Sequence, residues 1–132
     1  MHLVKIKLTP YYHIAYATSE PLKLLGFFLE DFGSEIGIEI LRSIVIDKLQ
    51  DCTSGNKTSL YTLKNGNLCI TILFPDKKDP VRLEITPETL LQVTKLYLEA
   101  EKKRPAEIII KLDHSMENPT IETILYCPLN KA

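Results

Sequence analysis

The dipeptide Asn65-Gly66 stands between Leu60-Tyr61-Thr62-Leu63 and Leu68-Cys69-Ile70-Thr71-Ile72-Leu73-Phe74, two runs rich in apolar and β-branched residues. Asn-Gly supplies the positive φ that a tight hairpin turn requires, so the two runs are predicted to pair antiparallel. This commitment constrains the whole chain, because an isolated hairpin is marginal in water and needs further strands or a helix to cover its apolar face. Pro75-Asp76-Lys77-Lys78-Asp79-Pro80 makes a second polar turn, after which Val81, Leu83 and Ile85 alternate with Arg82 and Glu84 as another strand. The middle of the chain is therefore an antiparallel meander.

The flanking segments supply helices and more strands. Val4, Ile6 and Leu8 alternate with Lys5, Lys7 and Thr9, and after Pro10 the run Tyr12-His13-Ile14-Ala15-Tyr16 alternates again, as a continuation past a bulge or a short second strand. Ser19 is an N-cap for a helix whose stripe is Leu22, Leu25, Phe28, Leu29 and Phe32, ending near Gly33. Ser34 caps a second helical run with Ile36, Ile40, Leu41, Ile44 and Leu49 toward the core, although Gly33 and Gly37 leave a single kinked helix open. Asp51 to Ser59 has turn formers and no apolar anchor, and is expected to be a loop. Thr86 and Pro87 open a third helix, with core positions Leu90, Val93, Tyr97 and Ala100, which Lys102-Lys103-Arg104 and Pro105 close. Glu107 to Leu112 is apolar enough for an interior strand with both faces covered, and Thr120 to Cys127 is a final strand after a turn at 113–119. The expected fold is one α+β domain over 1–132, a mostly antiparallel sheet of about five to seven strands with two to three helices packed against it.

Charge and cysteine content remove several classes of function. Sixteen Lys and Arg against seventeen Asp and Glu give a net charge of −1, so no global positive field is available for wrapping nucleic acid. Cys52, Cys69 and Cys127 are an odd set without C-x-x-C spacing, which argues for free thiols in a reducing cytoplasm, with Cys69 and Cys127 in apolar settings and Cys52 the reactive one. The opening segment alternates lysines with apolar residues where a signal peptide would carry a continuous apolar stretch, and no run reaches the roughly 18 residues that span a bilayer. His2, His13 and His114 share no spacing, so no metal or other cofactor is expected. No nucleophile, zinc-protease or phosphate-loop motif occurs.

Two local features remain. Tyr11, Tyr12 and Tyr16 lie near Lys5 and Lys7 and could stack bases on a sheet, but packing at the sheet edge explains them more simply. Between Lys23 and Arg42 the chain carries Glu30, Asp31, Glu35 and Glu39 and no base, a local charge of −4. Glu35 and Glu39 stand one helical turn apart, a repulsion of about 0.2–0.5 kcal/mol in an isolated helix. A solvated helix face accounts for this run; so does a docking surface for a basic protein, which Asp47 and Asp51 would extend.

From Gly66 onward, the strand Leu68-Cys69-Ile70-Thr71-Ile72, then Val81-Arg82-Leu83-Glu84-Ile85-Thr86 opening a helix, then Lys102-Lys103-Arg104-Pro105-Ala106-Glu107-Ile108-Ile109-Ile110, resembles small immunity proteins of bacterial contact-dependent growth inhibition and related polymorphic toxin systems. The resemblance is one of pattern over about half the chain. It implies a cytoplasmic protein without catalytic activity that occludes the active site of one cognate toxin domain, often a basic nuclease, with no nucleic acid or membrane partner and a monomer or weak dimer as its state. The near-neutral total departs from the strongly acidic balance of many nuclease inhibitors. The contact residues Glu30, Asp31, Glu35, Glu39, Asp47 and Asp51 follow from the charge argument alone. The rival classes are a secretion chaperone or adaptor with an exposed apolar groove, and a small hydrolase or nucleic-acid-modifying enzyme using Asp113, His114 and Tyr126.

The hairpin yields a direct test. Gly66→Val is expected to destabilise the protein by more than the ~1 kcal/mol of a typical surface change, seen as a lower denaturation midpoint. An unchanged midpoint would displace the turn.

Overall fold

The computed structural model describes residues 2–8, 13–47, 52–73 and 81–125. In chain order these form β1 (His2–Leu8), β2 (His13–Ala17), α1 (Glu20–Phe32), α2 (Glu35–Asp47), β3 (Cys52–Ser54), β4 (Thr58–Thr62), β5 (Leu68–Ile72), β6 (Arg82–Ile85), α3 (Pro87–Glu101), β7 (Glu107–Leu112) and β8 (Thr120–Ile124). The α+β class and the antiparallel pairing agree with the sequence reading. The eight strands, however, divide into two four-stranded sheets, one ordered β2-β1-β7-β8 and the other β3-β4-β5-β6. The crossovers cause the split: α1 and α2 carry the chain from the first sheet to the second, α3 carries it back, and β7 then pairs with β1 instead of β6.

Helix α1 joins the two halves. Its side chains touch β1 and β2 on one side and β4, β5 and β6 on the other. Leu22, Leu24, Leu25, Phe28, Leu29 and Phe32 are all buried, and at 3.6 residues per turn they fall within an arc of roughly 160°, one broad apolar face turned to the core. Phe28 and Phe32 stack with ring centroids 4.9 Å apart. Ser19 caps the start, its hydroxyl accepting from the Leu22 N–H at 3.4 Å.

The break after Phe32 gives two helices instead of one kinked one. Ser34 caps α2 by accepting from the Gly37 N–H at 3.2 Å, and this restart sets a new helical phase. Ile38, Leu41 and Ile44 therefore face inward, while Ile36, expected in the core, is 75% exposed. Helix α3 follows the expected pattern: Thr86 caps it, accepting from the Thr89 N–H at 3.2 Å, and Leu90, Val93, Tyr97 and Ala100 are buried. Burial pushes the Tyr97 phenol well above its usual range, helped by the nearby Glu101 and Glu30 carboxylates.

The hairpin between β4 and β5 is present with a different turn. The Gly66 N–H donates to Leu63 O at 3.0 Å, and Gly66 has φ +90° while Asn65 has no positive φ. The loop is thus three residues with glycine in its left-handed last position, not a two-residue turn with both residues left-handed. Glu84 on β6 ties it down, accepting from the side chains of Asn65 at 3.0 Å and Asn67 at 2.6 Å, and these bonds hold its carboxyl below the usual range. Residues 52–54, expected within a loop, form β3, paired through Thr53↔Leu60 and Ser54↔Ser59. A strand without an apolar alternation forms here because its order comes from pairing with β4.

Strand β7 is interior by hydrogen bonding, between β1 and β8, yet only one face is covered. Ile108, Ile110 and Leu112 are buried and Ile109 is half-buried on the other side, so the expectation of two covered faces fails. Cys69 is a free, buried thiol. The Cys52 side chain and Cys127 lie outside the described residues.

Arg104 follows α3 with φ +51°, a left-handed position where glycine has no Cβ penalty. Arg104→Gly is expected to raise unfolding free energy by about 0.5–1 kcal/mol, the relieved strain less the added chain entropy. A lower thermal midpoint for this variant would refute the assignment.

Candidate functional site

The acidic run separates into two groups. Glu30 and Asp31 end α1 beside the β3–β4 turn. One Asp31 oxygen, Oδ2, accepts from the Lys57 N–H at 2.9 Å, the Thr58 N–H at 2.8 Å and the Thr58 hydroxyl at 2.8 Å. Thr58 is fully buried, so its hydroxyl has no access to bulk water as a replacement partner. Gly55 lies so close that a Cβ there would sit 2.6 Å from the same Asp31 oxygen. Glu30 Oε2 pairs with the Lys57 ammonium at 2.8 Å, and that ammonium also lies 5.7 Å from the centre of the Phe27 ring. These two carboxylates are internal fasteners between α1 and the second sheet.

The other group lies on α2. Glu35, Glu39 and Asp47 are exposed, and so are Arg42, Ile36 at 75% and Ile46 at 68%. At 3.6 residues per turn all six fall within an arc of roughly 140°. Glu39 meets the Arg42 guanidinium at 3.1 Å, an exposed pair worth little to stability. Glu35 is in the first helical turn, where the helix dipole favours a negative charge, and lies near Lys102 at the end of α3. Lys102 itself bonds Glu99 at 3.0 Å, and this bond, with Glu35 adding, holds its ammonium above the usual range. Asp51 lies outside the described residues. The structure thus keeps Glu35, Glu39 and Asp47 on one solvent face and takes Glu30 and Asp31 away from it.

Sequence reasoning missed the two exposed isoleucines. Nearly every uncharged position from 36 to 46 is apolar, so stripes through Ile36-Ile40 and through Ile38-Leu41 look alike, and only the cap at Ser34 distinguishes them.

The Asp113-His114 pair is a loop brace. Asp113 Oδ1 accepts from the N–H groups of Ser115 at 2.9 Å and Glu117 at 3.0 Å, and Oδ2 accepts from the Asn118 amide at 2.7 Å. These bonds, led by Asn118, hold its carboxyl below the usual range. Both oxygens are engaged by the loop, so the carboxylate is not aimed at His114, and Tyr126 lies outside the described residues. Tyr16, expected to pack at the sheet edge, is 48% exposed because its face of the sheet is uncovered, while Tyr11 and Tyr12 lie outside the described residues. Among the described residues no cluster of His, Cys, Asp or Glu has metal-ligand geometry, and no helix is long and apolar enough to cross a membrane.

Comparison with known proteins finds no matching family model, no matching curated protein and no matching solved structure.

The fastener role of Asp31 is testable. Asp31→Ala leaves three donors without their acceptor, one of them the buried Thr58 hydroxyl, and is expected to cost about 2–4 kcal/mol of folding stability. Glu35→Ala should change stability by less than about 0.5 kcal/mol. Equal midpoints for the two variants in urea would contradict the division drawn here.

Proposed function

We propose that this chain is a non-enzymatic binding protein of the immunity type, which neutralises a cognate basic toxin domain by covering its active site with the solvent face of α2. The observation that carries the reading is the pairing of exposed apolar side chains, Ile36 and Ile46, with the acids Glu35, Glu39 and Asp47 around them. Apolar anchors inside a charged rim are what a protein interface uses: the anchors supply the desolvated contact and the rim charges steer encounter. Against the single Arg42, the three acids leave the face at −2, complementary to a basic partner. Binding through a helix face needs no chemistry from the chain itself, and the resemblance to immunity proteins points the same way.

The test is to sequence the reading frames adjacent to this chain's own and co-express the chain with a toxin domain found there. The parent should relieve growth arrest and form a stable complex with the toxin. Ile36→Asp with Ile46→Asp should abolish relief while leaving the melting temperature unchanged. Glu35→Lys with Glu39→Lys should slow association about 3- to 10-fold at low salt and flatten its salt dependence, because exposed charges act on encounter and are screened over ~8 Å at physiological ionic strength. Unrelieved growth arrest, or full protection by the isoleucine variant, would sink the proposal.

A further inference from the structure

Among the described residues nothing covers the other face of the first sheet, and that face has a defined composition. Val4 and Ile6 point into the core, so Leu3, Lys5 and Lys7 lie on the opposite face of β1. The strand register sets their neighbours there: Tyr16 and Ile109 flank Lys5, Lys111 and Thr18 flank Leu3, and Glu107 stands across from Lys7. On β8, Glu122 and Ile124 complete the rows behind Ile109 and Glu107. Lys7 reaches Glu107 at 4.0 Å and Lys111 reaches Glu122 at 3.3 Å, whereas Lys5 has no acidic partner among the described residues. An open groove of about 380 Å3 runs here, lined by Leu3, Lys5, Lys7, Tyr16, Ala17 and Thr18.

We propose that this groove binds single-stranded nucleic acid, with one base lying on the exposed Tyr16 ring and the adjoining phosphate held by Lys5 and Lys7. Three observations combine. An aromatic ring exposed on an open sheet offers a stacking platform that any base can use. The lysine beside it is uncompensated, and a second lysine follows two residues on, matching one phosphodiester. The groove is of a size for one nucleotide, at the lower end of ligand-site volumes. A double helix cannot present a free base face to Tyr16, so the site selects unpaired strands. The net charge of −1 opposes binding along a long tract but leaves a contact this small intact. This surface lies on the far side of the first sheet from α3 and is independent of the toxin-binding reading.

The test is fluorescence anisotropy with labelled ten-nucleotide oligo(dT) and oligo(U), and a duplex of equal length as comparison. The protein is titrated to about 100 µM, the weak end of sequence-independent binding. Single strands should bind and the duplex should not. Tyr16→Ala should weaken binding about 5- to 100-fold, the loss of one base stack, and Tyr16→Phe should retain it. Lys5→Gln should lower the salt dependence by about 0.7 unit of slope, with Lys95→Gln on α3 leaving it unchanged. No binding by either strand, equal binding of the duplex, or Tyr16→Ala binding as tightly as the parent with an unchanged melting curve would each overturn the proposal.

Discussion

Helix α1 carries a broad apolar face that must be buried, and the architecture follows from that demand. Six large apolar side chains fill about 160° of its circumference, and strands of both sheets lie close to the helix to cover them. Each side chain moved out of water contributes about 1.5–3 kcal/mol, so leaving half of them exposed would cost about 4.5–9 kcal/mol, comparable to a small domain's whole margin of stability. Two sheets, one made by the terminal strands and one by the central meander, meet the demand together. The first sheet contributes to the core through one face only, with Val4, Ile6, Ile108, Ile110 and Leu112 in the buried cluster.

Apolar burial is not directional, so it does not fix where along α1 the second sheet sits. The polar end of the helix does. Asp31 presents one carboxylate oxygen to three donors of a turn that has no apolar anchor of its own, and Gly55 permits the approach. Charge-assisted bonds of this kind are short and geometrically demanding, which makes them suited to setting register between a helix and a sheet. In the sequence Asp31 belongs to an acidic run and invites a reading as surface charge. Its function in the fold depends on residues 26 and 27 positions later, a separation at which no local pattern operates.

That contrast marks what could be read in advance. Elements defined by local chemistry were legible: the Thr86-Pro87 opening of α3 and its core stripe, the Ser19 cap, and the existence of a hairpin at Asn65-Gly66. Features set by tertiary partners were not. Strand β3 exists by pairing with β4, whose start and preceding turn Asp31 holds, and the turn at Gly66 took its three-residue form with Glu84 bracing Asn65 and Asn67 from a third strand. The inward face of α2 depended on the phase of a helix whose apolar residues fit two stripes. The apolar run Ile108-Ile109-Ile110 suggested cover on both sides because hydrophobicity reports the preference of a side chain, not whether a partner layer exists. For the site, the charge pattern located α2 but not its isoleucines, and it grouped Glu30 and Asp31 with residues whose surroundings differ from theirs.

The net charge of −1 conceals an uneven distribution. Helix α2 packs on α3, and α3 packs on the core side of β7 and β8, so the acidic face of α2 and the open face of the first sheet belong to opposite sides of that layer. Glu35, Glu39 and Asp47 against Arg42 leave −2 on the former; Lys5, Lys7 and Lys111 against Glu107 and Glu122 leave +1 on the latter. If the proposed partners are right, the basic one would meet the α2 face and the polyanion the sheet face, because orientation in an external field depends on how charge is arranged as well as on its total. The averaging that makes the composition look neutral is therefore the wrong guide to partners. Exclusions drawn from total charge apply to extended contacts larger than the Debye length, and a contact confined to one lysine pair or one helical turn falls inside it.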